Sequence, residues 1–432
     1  MTAVVGILNK QAVAIAADSA VTISGSNGRK IFNKANKVFT LSKYHPIGVM
    51  IYNSASFMET PWETIIKMYR RQLGDRSFAT VDGYQQDFIA FLRDRQFYTT
   101  PEVQVAYLED FSLSIIDSLT RMVAQENRGL IDAPSEDTRK EFIRILEAKI
   151  DGLLQQDRFA ADKECCEDFA NYSFESFVTY SRPVIDSIVQ NRFTPNGIHV
   201  SDDLRVKITH LIFSILRGKE EYYSYTGLIF TGFGENEIYP QLIPVNISMV
   251  IDNRLRYYID QGRAAEISNN NGGSVCPFAQ TDVIDTILSG IDPSLDDIYL
   301  NNFSALFEKY NQLILNATGD TNPELKAQIQ SLDTQAIVDE YIRMNQRIKR
   351  ENYINPLMNA VSSLSKEDLA EMAESLIYLT YLKRRITFAE ETVGGPVDVA
   401  VISKGDGFIW IKRKFYFRPE LNQYFFDNYF KA

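Results

Sequence analysis

Two short apolar runs open the chain, AVVGIL over Ala3–Leu8 and AVAIAA over Ala12–Ala17, with Asn9-Lys10-Gln11 between them. Runs this short and this uniformly apolar are typical of strands covered on both faces, and the polar triplet predicts a tight turn. The following ISGSNGRK reads as a polar loop. Lys37–Leu41 (KVFTL) and Ile47–Tyr52 (IGVMIY) are again strand-like, so four strands fit in about fifty residues.

The period then changes. METPWETIIKMYRRQL places Trp62, Ile65, Ile66 and Tyr69 on one helical face, with Pro61 near the first turn. Helical patterns continue to about residue 218. Thr100 and Pro101 suit an N-cap and first helical position; Phe142, Leu146, Ile150 and Leu153 recur at helical spacing; Ser201–Leu216 closes the block. Strand patterning returns at YTGLIFTGFGENEIYPQLIPVNISMVIDNRLRYYI. The loop SNNNGGS then leads into PFAQTDVIDTILSGI, which reads as a helix, and residues of about 292–362 read as helical. In SKEDLAEMAESLIYLTYLKRR, Ser365 suits the cap, Asp368 the capping-box position, and Leu369, Met372, Leu376 and Leu379 the apolar face. Two last strands, VDVAVIS and GFIWIKRK, join at Gly405-Asp406-Gly407. The tail FYFRPELNQYFFDNYF is apolar enough either to pack as core or to cover a partner subunit. Strand blocks separated by helical blocks predict an α+β fold, two antiparallel sheets faced by helices.

Composition narrows the classes. The 432 residues are 45% hydrophobic and 23% charged, ordinary for a globular chain with a sizeable core. A net charge of −11 without a basic block argues against a nucleic-acid partner. Cys165, Cys166 and Cys276 form no CxxC pair and no HxxxH occurs, so a reduced, cytoplasmic chain with neither metal nor organic cofactor is expected. His45, His199 and His210 are scattered and point to no triad. The N-terminus has no basic leader, Asn9, Lys10 and Asp18 interrupt its apolar stretches, and no run approaches the ~20 apolar residues of a membrane helix.

Candidate chemistry sits at the start. An aspartate directly after AIAA is costly to bury unless something pairs with it. Methionine before a residue as small as threonine is normally trimmed, which would leave Thr2 with a free α-amine beside its hydroxyl. That amine, with a reference pKa of about 8, can take the hydroxyl's proton directly or through water, so nucleophile and base reside in one residue. Such a site needs a cation to lower the hydroxyl pKa and an anion to hold it. A hairpin of the first two strands brings Asp18 near the chain start, and Lys37 heads the next strand.

These residues resemble the proteasome β-type subunits, within the N-terminal nucleophile (Ntn) hydrolases. AIAADSAVT fits that family's pattern, with Asp18 sixteen residues after Thr2, and NKVFTL resembles its Lys-Val strand. The resemblance implies Lys37 as the catalytic lysine; Lys34 keeps the bare count, but a three-residue insertion in GSNGRK restores Lys37. IGVMIYNSAS resembles the strand and oxyanion loop, which implies the Tyr52 amide as oxyanion donor and Asn53 as a substrate contact. The family usually has glycine at Tyr52, so this side chain is expected to narrow the substrate channel. Thr22 matches the position whose backbone pairs with an extended substrate. NGGSVCPFAQTD resembles the segment heading the third family helix, which puts Ser274 on the serine supporting the nucleophile, against a plain helix cap. TVGGPVDVAVI resembles the end of the domain, with Thr392 on a supporting serine; the family's aspartate falls by count on Ala389, beside Glu390 and Glu391.

The resemblance implies a four-layer αββα sandwich made of residues 2–75, 201–290 and 363–412, with helical insertions at 76–200 and 291–362 and an aromatic tail at 413–432. It implies a threonine-type peptidase acting on a peptide or protein substrate, a homo-oligomer (dimer or ring), and a possible ATP-dependent unfoldase partner. Two other readings stay open: an inactive scaffold or binding module of the same fold, and a small-molecule amidase.

Overall fold

The structure, a computed structural model, describes residues 2–25, 28–32, 34–94, 99–126, 135–156, 164–219, 225–318, 326–328, 331, 334–387 and 393–430. The opening hairpin forms as the pattern predicts, from β1 (Ala3–Asn9) and β2 (Ala12–Ala17). Asn9 builds its turn: the side-chain oxygen accepts the N–H groups of Gln11 (2.9 Å) and Ala12 (3.2 Å). Its amide nitrogen donates to the carbonyls of Val361 (3.2 Å) and Leu364 (2.9 Å), which lets a polar side chain sit fully buried.

Most of the stretch read as the loop ISGSNGRK is strand: Val21–Gly25 (β3) and Gly28–Phe32 (β4) pair as a two-stranded antiparallel ribbon, because Thr22, Ile23, Ile31 and Phe32 are good strand formers. β5 (Val38–Thr40) and β6 (Ile47–Asn53) follow. Then β7 (Ser56–Phe57) and β8 (Thr60–Pro61) make a small ladder, so α1 (Trp62–Leu73) begins after Pro61 rather than in METP; Met58 and Glu59 have positive φ and cannot start a helix.

Among the described residues the α-helices that come next are α2 (Val81–Asp94), α3 (Pro101–Glu126), α4 (Glu136–Leu154, with a Ser135 capping box), α5 (Phe174–Arg192) and α6 (Asp202–Arg217, capped by Ser201). The returning strands are β9 (Thr226–Gly232), β10 (Gln241–Ile251), β11 (Arg254–Ile259) and β12 (Ala265–Glu266); Asp252 and Asn253, both left-handed, turn β10 into β11. Gly273–Ala279 is β13, an edge strand, not the start of a helix. Cys276 and Phe278 face one way and Val275 the other, a period of two, and Pro277 is tolerated at an edge. The helix predicted there is shorter, α7 (Asp282–Ser289). After α8 (Pro293–Thr318), α9 (Thr334–Lys349), α10 (Asn355–Ser362) and α11 (Lys366–Ile386) come β14 (Asp398–Ser403), β15 (Gly407–Lys412) and α12 (Gln423–Phe430) in the aromatic tail.

The result is mixed α and β with two antiparallel sheets. One runs β13-β1-β2-β14-β15, the other β11-β10-β9-β6-β5 with β12 beside β10. Val4, Leu8, Val13, Ile15, Ala400 and Ile402 of the first meet Val38, Met50, Tyr52, Ile229 and Leu242 of the second. The opposite side of β1 and β2 is smaller, with Ala12, Ala14 and Ala16 on β2, and this lets α11 lie close against it through Leu369, Ala370, Ala373, Leu376 and Ile377. The opposite face of the second sheet is covered by α1, α2 and α3 through Ile65, Ile66, Tyr69, Phe88, Phe111 and their neighbours. Among the described residues no helix is long and apolar enough to cross a membrane.

Candidate active site

Asp18 follows β2, and its carboxylate is saturated. One oxygen accepts the N–H of Ala3 (2.9 Å) and the ammonium of Lys37 (2.6 Å); the other accepts the N–H groups of Ala20 (3.0 Å) and Gly394 (3.1 Å). Asp18 is 1% and Lys37 3% exposed, so this is a buried ion pair, which forms only with good geometry and full hydrogen bonding. Lys37 donates a second bond to the Ala20 carbonyl (2.5 Å). The oxygen that holds Lys37 also holds the first peptide group of β1, so the cation lies two hydrogen bonds from the residue after Thr2. Thr2 itself is buried, and its carbonyl accepts the N–H of Gln280 (3.1 Å). Lys34 is exposed.

Burial pushes the Lys37 amine below the ordinary lysine value of 10.5; Asp18 pulls it back up, Lys414 lowers it further and Asp398 raises it. A lysine with a depressed pKa has a neutral fraction available to accept a proton.

Strand alternation decides which amide faces Lys37. Ile51 donates to the Lys37 carbonyl (2.9 Å), so the Tyr52 N–H turns the other way, toward its partner Gly227 in β9. The Tyr52 amide is therefore committed to the ladder and does not serve as an oxyanion donor. Its ring does not line a channel either: it lies between the sheets, donates to Asn246 Oδ1 (3.1 Å), and crosses Gly227, where a Cβ would fall 1.9 Å from it. The next amide on the Lys37 side is that of Asn53, an exposed residue with φ of 65° at the end of β6. The loop after Asn53 is pinned: Trp62 Nε1 donates to Thr226 Oγ1 (2.8 Å), which donates to the Ser54 carbonyl (3.3 Å).

Ser274 is placed elsewhere. It pairs with Leu8 in the β1–β13 ladder, whereas Ala279 pairs with Ala3, so Ser274 lies at the far end of β1, roughly 20 Å from Thr2 at the rise of a strand. It caps no helix; its hydroxyl contacts Cys276 Sγ at 3.4 Å. Gln280, joining β13 to α7, is what β13 brings beside Thr2; it is held by Arg384, whose Nε donates to it (2.8 Å) and whose Nη2 pairs with Asp282. Reading GSVCPFA as a strand of period two and counting along it would have found it. Thr22 sits in β3 opposite Ile31, in a ribbon of two strands only. Thr392, with Ala389, Glu390 and Glu391, lies outside the described residues. The neighbouring segment does reach the site: Gly394 bonds Asp18, and its carbonyl accepts the Ser19 N–H (3.0 Å).

One buried neighbour of Asp18 was not singled out. Asp398, first residue of β14, pairs across the sheet with Ala17 and forms a buried ion pair with Lys414. Its sequence signal matches that of Asp18, a carboxylate at the end of an apolar strand. Cys276 is buried, which pushes its thiol up to about 11. His45 contacts the Asp75 carbonyl (2.9 Å) and His210 packs on Phe174, neither in this cluster. Among the described residues no group of three or more His, Cys, Asp or Glu is placed to hold a metal.

No protein-family model matches the chain, and no curated protein sequence matches it.

Proposed function

We propose that the chain is a threonine-nucleophile amide hydrolase with the four-layer αββα sandwich of the Ntn, proteasome-like type, acting on a peptide or protein substrate. The observation that carries this reading is the Asp18 carboxylate shared between the first peptide group of β1 and the Lys37 ammonium. Removal of Met1 frees the Thr2 amine. The hydroxyl adds to the substrate carbonyl while its proton passes to the amine or to neutral Lys37. The Asn53 N–H donates to the developing oxyanion, the leaving amine takes the proton, and water then cleaves the ester. The two stacked sheets with helices outside each support the architecture.

The test is intact mass spectrometry of the purified protein with and without a peptide epoxyketone. A mass lacking Met1, plus one adduct abolished by Thr2→Ala, is expected; retained Met1 and no adduct overturns the reading. A second reading is favoured by the 3% exposure of Thr2: an inactive scaffold whose first residue is only a strand end. Normal partner binding or assembly by Thr2→Ala, with no adduct on the parent chain, would select it.

A further inference from the structure

We propose that the Asp398–Lys414 ion pair is a positioning pair that sets the charge state of Lys37, wiring the C-terminal segment into the candidate active site. This rests on the reading of Lys37 above, but the pairing itself stands on geometry. Asp398 opens β14 opposite Ala17, one residue before Asp18. It is clamped twice by one residue: the Lys414 backbone N–H donates to one carboxylate oxygen (2.9 Å) and the Lys414 ammonium to the other. The side chains are 4% and 11% exposed, so neither charge is well screened by water. Two buried pairs, Asp18–Lys37 and Lys414–Asp398, thus share one corner of the molecule, and each charge of the second acts on Lys37 in the opposite sense.

Neither pairing alone explains why Lys414 is needed. Asp398 at a strand end would be satisfied by backbone N–H groups, as Asp18 largely is. A lysine instead brings a cation toward another buried cation, which opposes protonation of Lys37 and keeps its neutral form accessible. Among the described residues, Glu63, Lys67, Arg70 and Arg413 also face this corner, around a cavity of about 90 Å³ that Asp398 lines and that opens beside Asn36 and Val38. Phe425 of α12 also lines that cavity, so the tail that carries Lys414 returns to the same place.

The experiment is a ¹³Cε-lysine NMR titration of the full chain, with the Lys37 signal assigned by its loss in Lys37→Arg. In Lys414→Met the Lys37 midpoint is expected to rise by about one pH unit, a tenfold drop in its neutral fraction. In Asp398→Asn it is expected to fall by a similar amount, and Lys414→Arg restores the parent midpoint. A pair that only braces the fold would shift both variants in the same direction or leave both unmoved, and either result overturns the proposal. Should Asp398→Asn fail to fold, Lys414→Met against Lys414→Arg still decides. The readout does not use turnover, so it separates the two readings: midpoints that move as expected while the pH profile of Thr2 labelling does not would sink the role of Lys37 and leave the coupling intact.

Discussion

The two ends of β1 solve one problem in two ways. At its C-terminal end Asn9 is fully buried and makes four hydrogen bonds, accepting from Gln11 and Ala12 and donating to Val361 and Leu364. At its N-terminal end Asp18 is as deeply buried and also takes four, from Ala3, Ala20, Gly394 and Lys37. Both side chains stitch the hairpin to segments more than 350 residues away. A neutral amide suffices for that stitching at one end. The carboxylate at the other is costlier to bury and brings in a buried lysine. On the proposed reading, that difference, rather than burial itself, marks the chemical end of the strand.

The sharpest way to break the comparison is to remove each group. Asp18→Ala leaves Lys37 an unpaired buried cation, so urea unfolding should show a loss of about 3–5 kcal/mol, together with loss of Thr2 labelling. Asn9→Ala strands two carbonyls and two amides, for which about 2–3 kcal/mol is expected, with Thr2 labelling unchanged in the folded protein. Equal loss of labelling in both variants would erase the distinction between the ends.

Proton linkage gives a smaller effect. Because the Lys37 pKa lies below its unfolded value of 10.5, the native chain in that window has released a proton that the unfolded chain keeps. Its contribution to stability therefore rises with pH up to about 10.5, by at most about 1.4 kcal/mol per unit, and is lost as pH falls through the native pKa. Denaturation midpoints of the parent chain and Lys37→Met across this range should diverge in slope; parallel curves would show that Lys37 is not depressed. The smallest effect belongs to Ser274→Ala, at the Asn9 end, where less than about 0.5 kcal/mol and unchanged labelling are expected.

Much of the fold was legible in sequence because it rests on period. The β1–β2 hairpin, α11 with its Ser365 cap, and the β14–β15 hairpin follow from patterns of two or 3.6 and from turn residues. The Asp18–Lys37 pairing was legible for another reason: charge at the end of an apolar run demands a partner. What failed were segments in which polar residues hid a strand. In ISGSNGRKIF the Gly, Ser and Asn content masked the β3–β4 ribbon, and in GSVCPFAQTD the proline and the following helix masked β13. The second error carried Ser274 to the wrong end of β1. The Tyr52 amide was placed toward Lys37 because family position was weighed above parity: one residue along a strand reverses the amide, and Tyr52 and Asn53 differ by that one step.

The bond from Gly394 to Asp18 has a consequence for synthesis. The Asp18 carboxylate waits for an amide made 376 residues later, and Asn9 likewise waits for Leu364. A ribosome releases these partners in that order, so the nascent chain carries its β1–β2 hairpin, acid included, incompletely satisfied until Gly394 emerges.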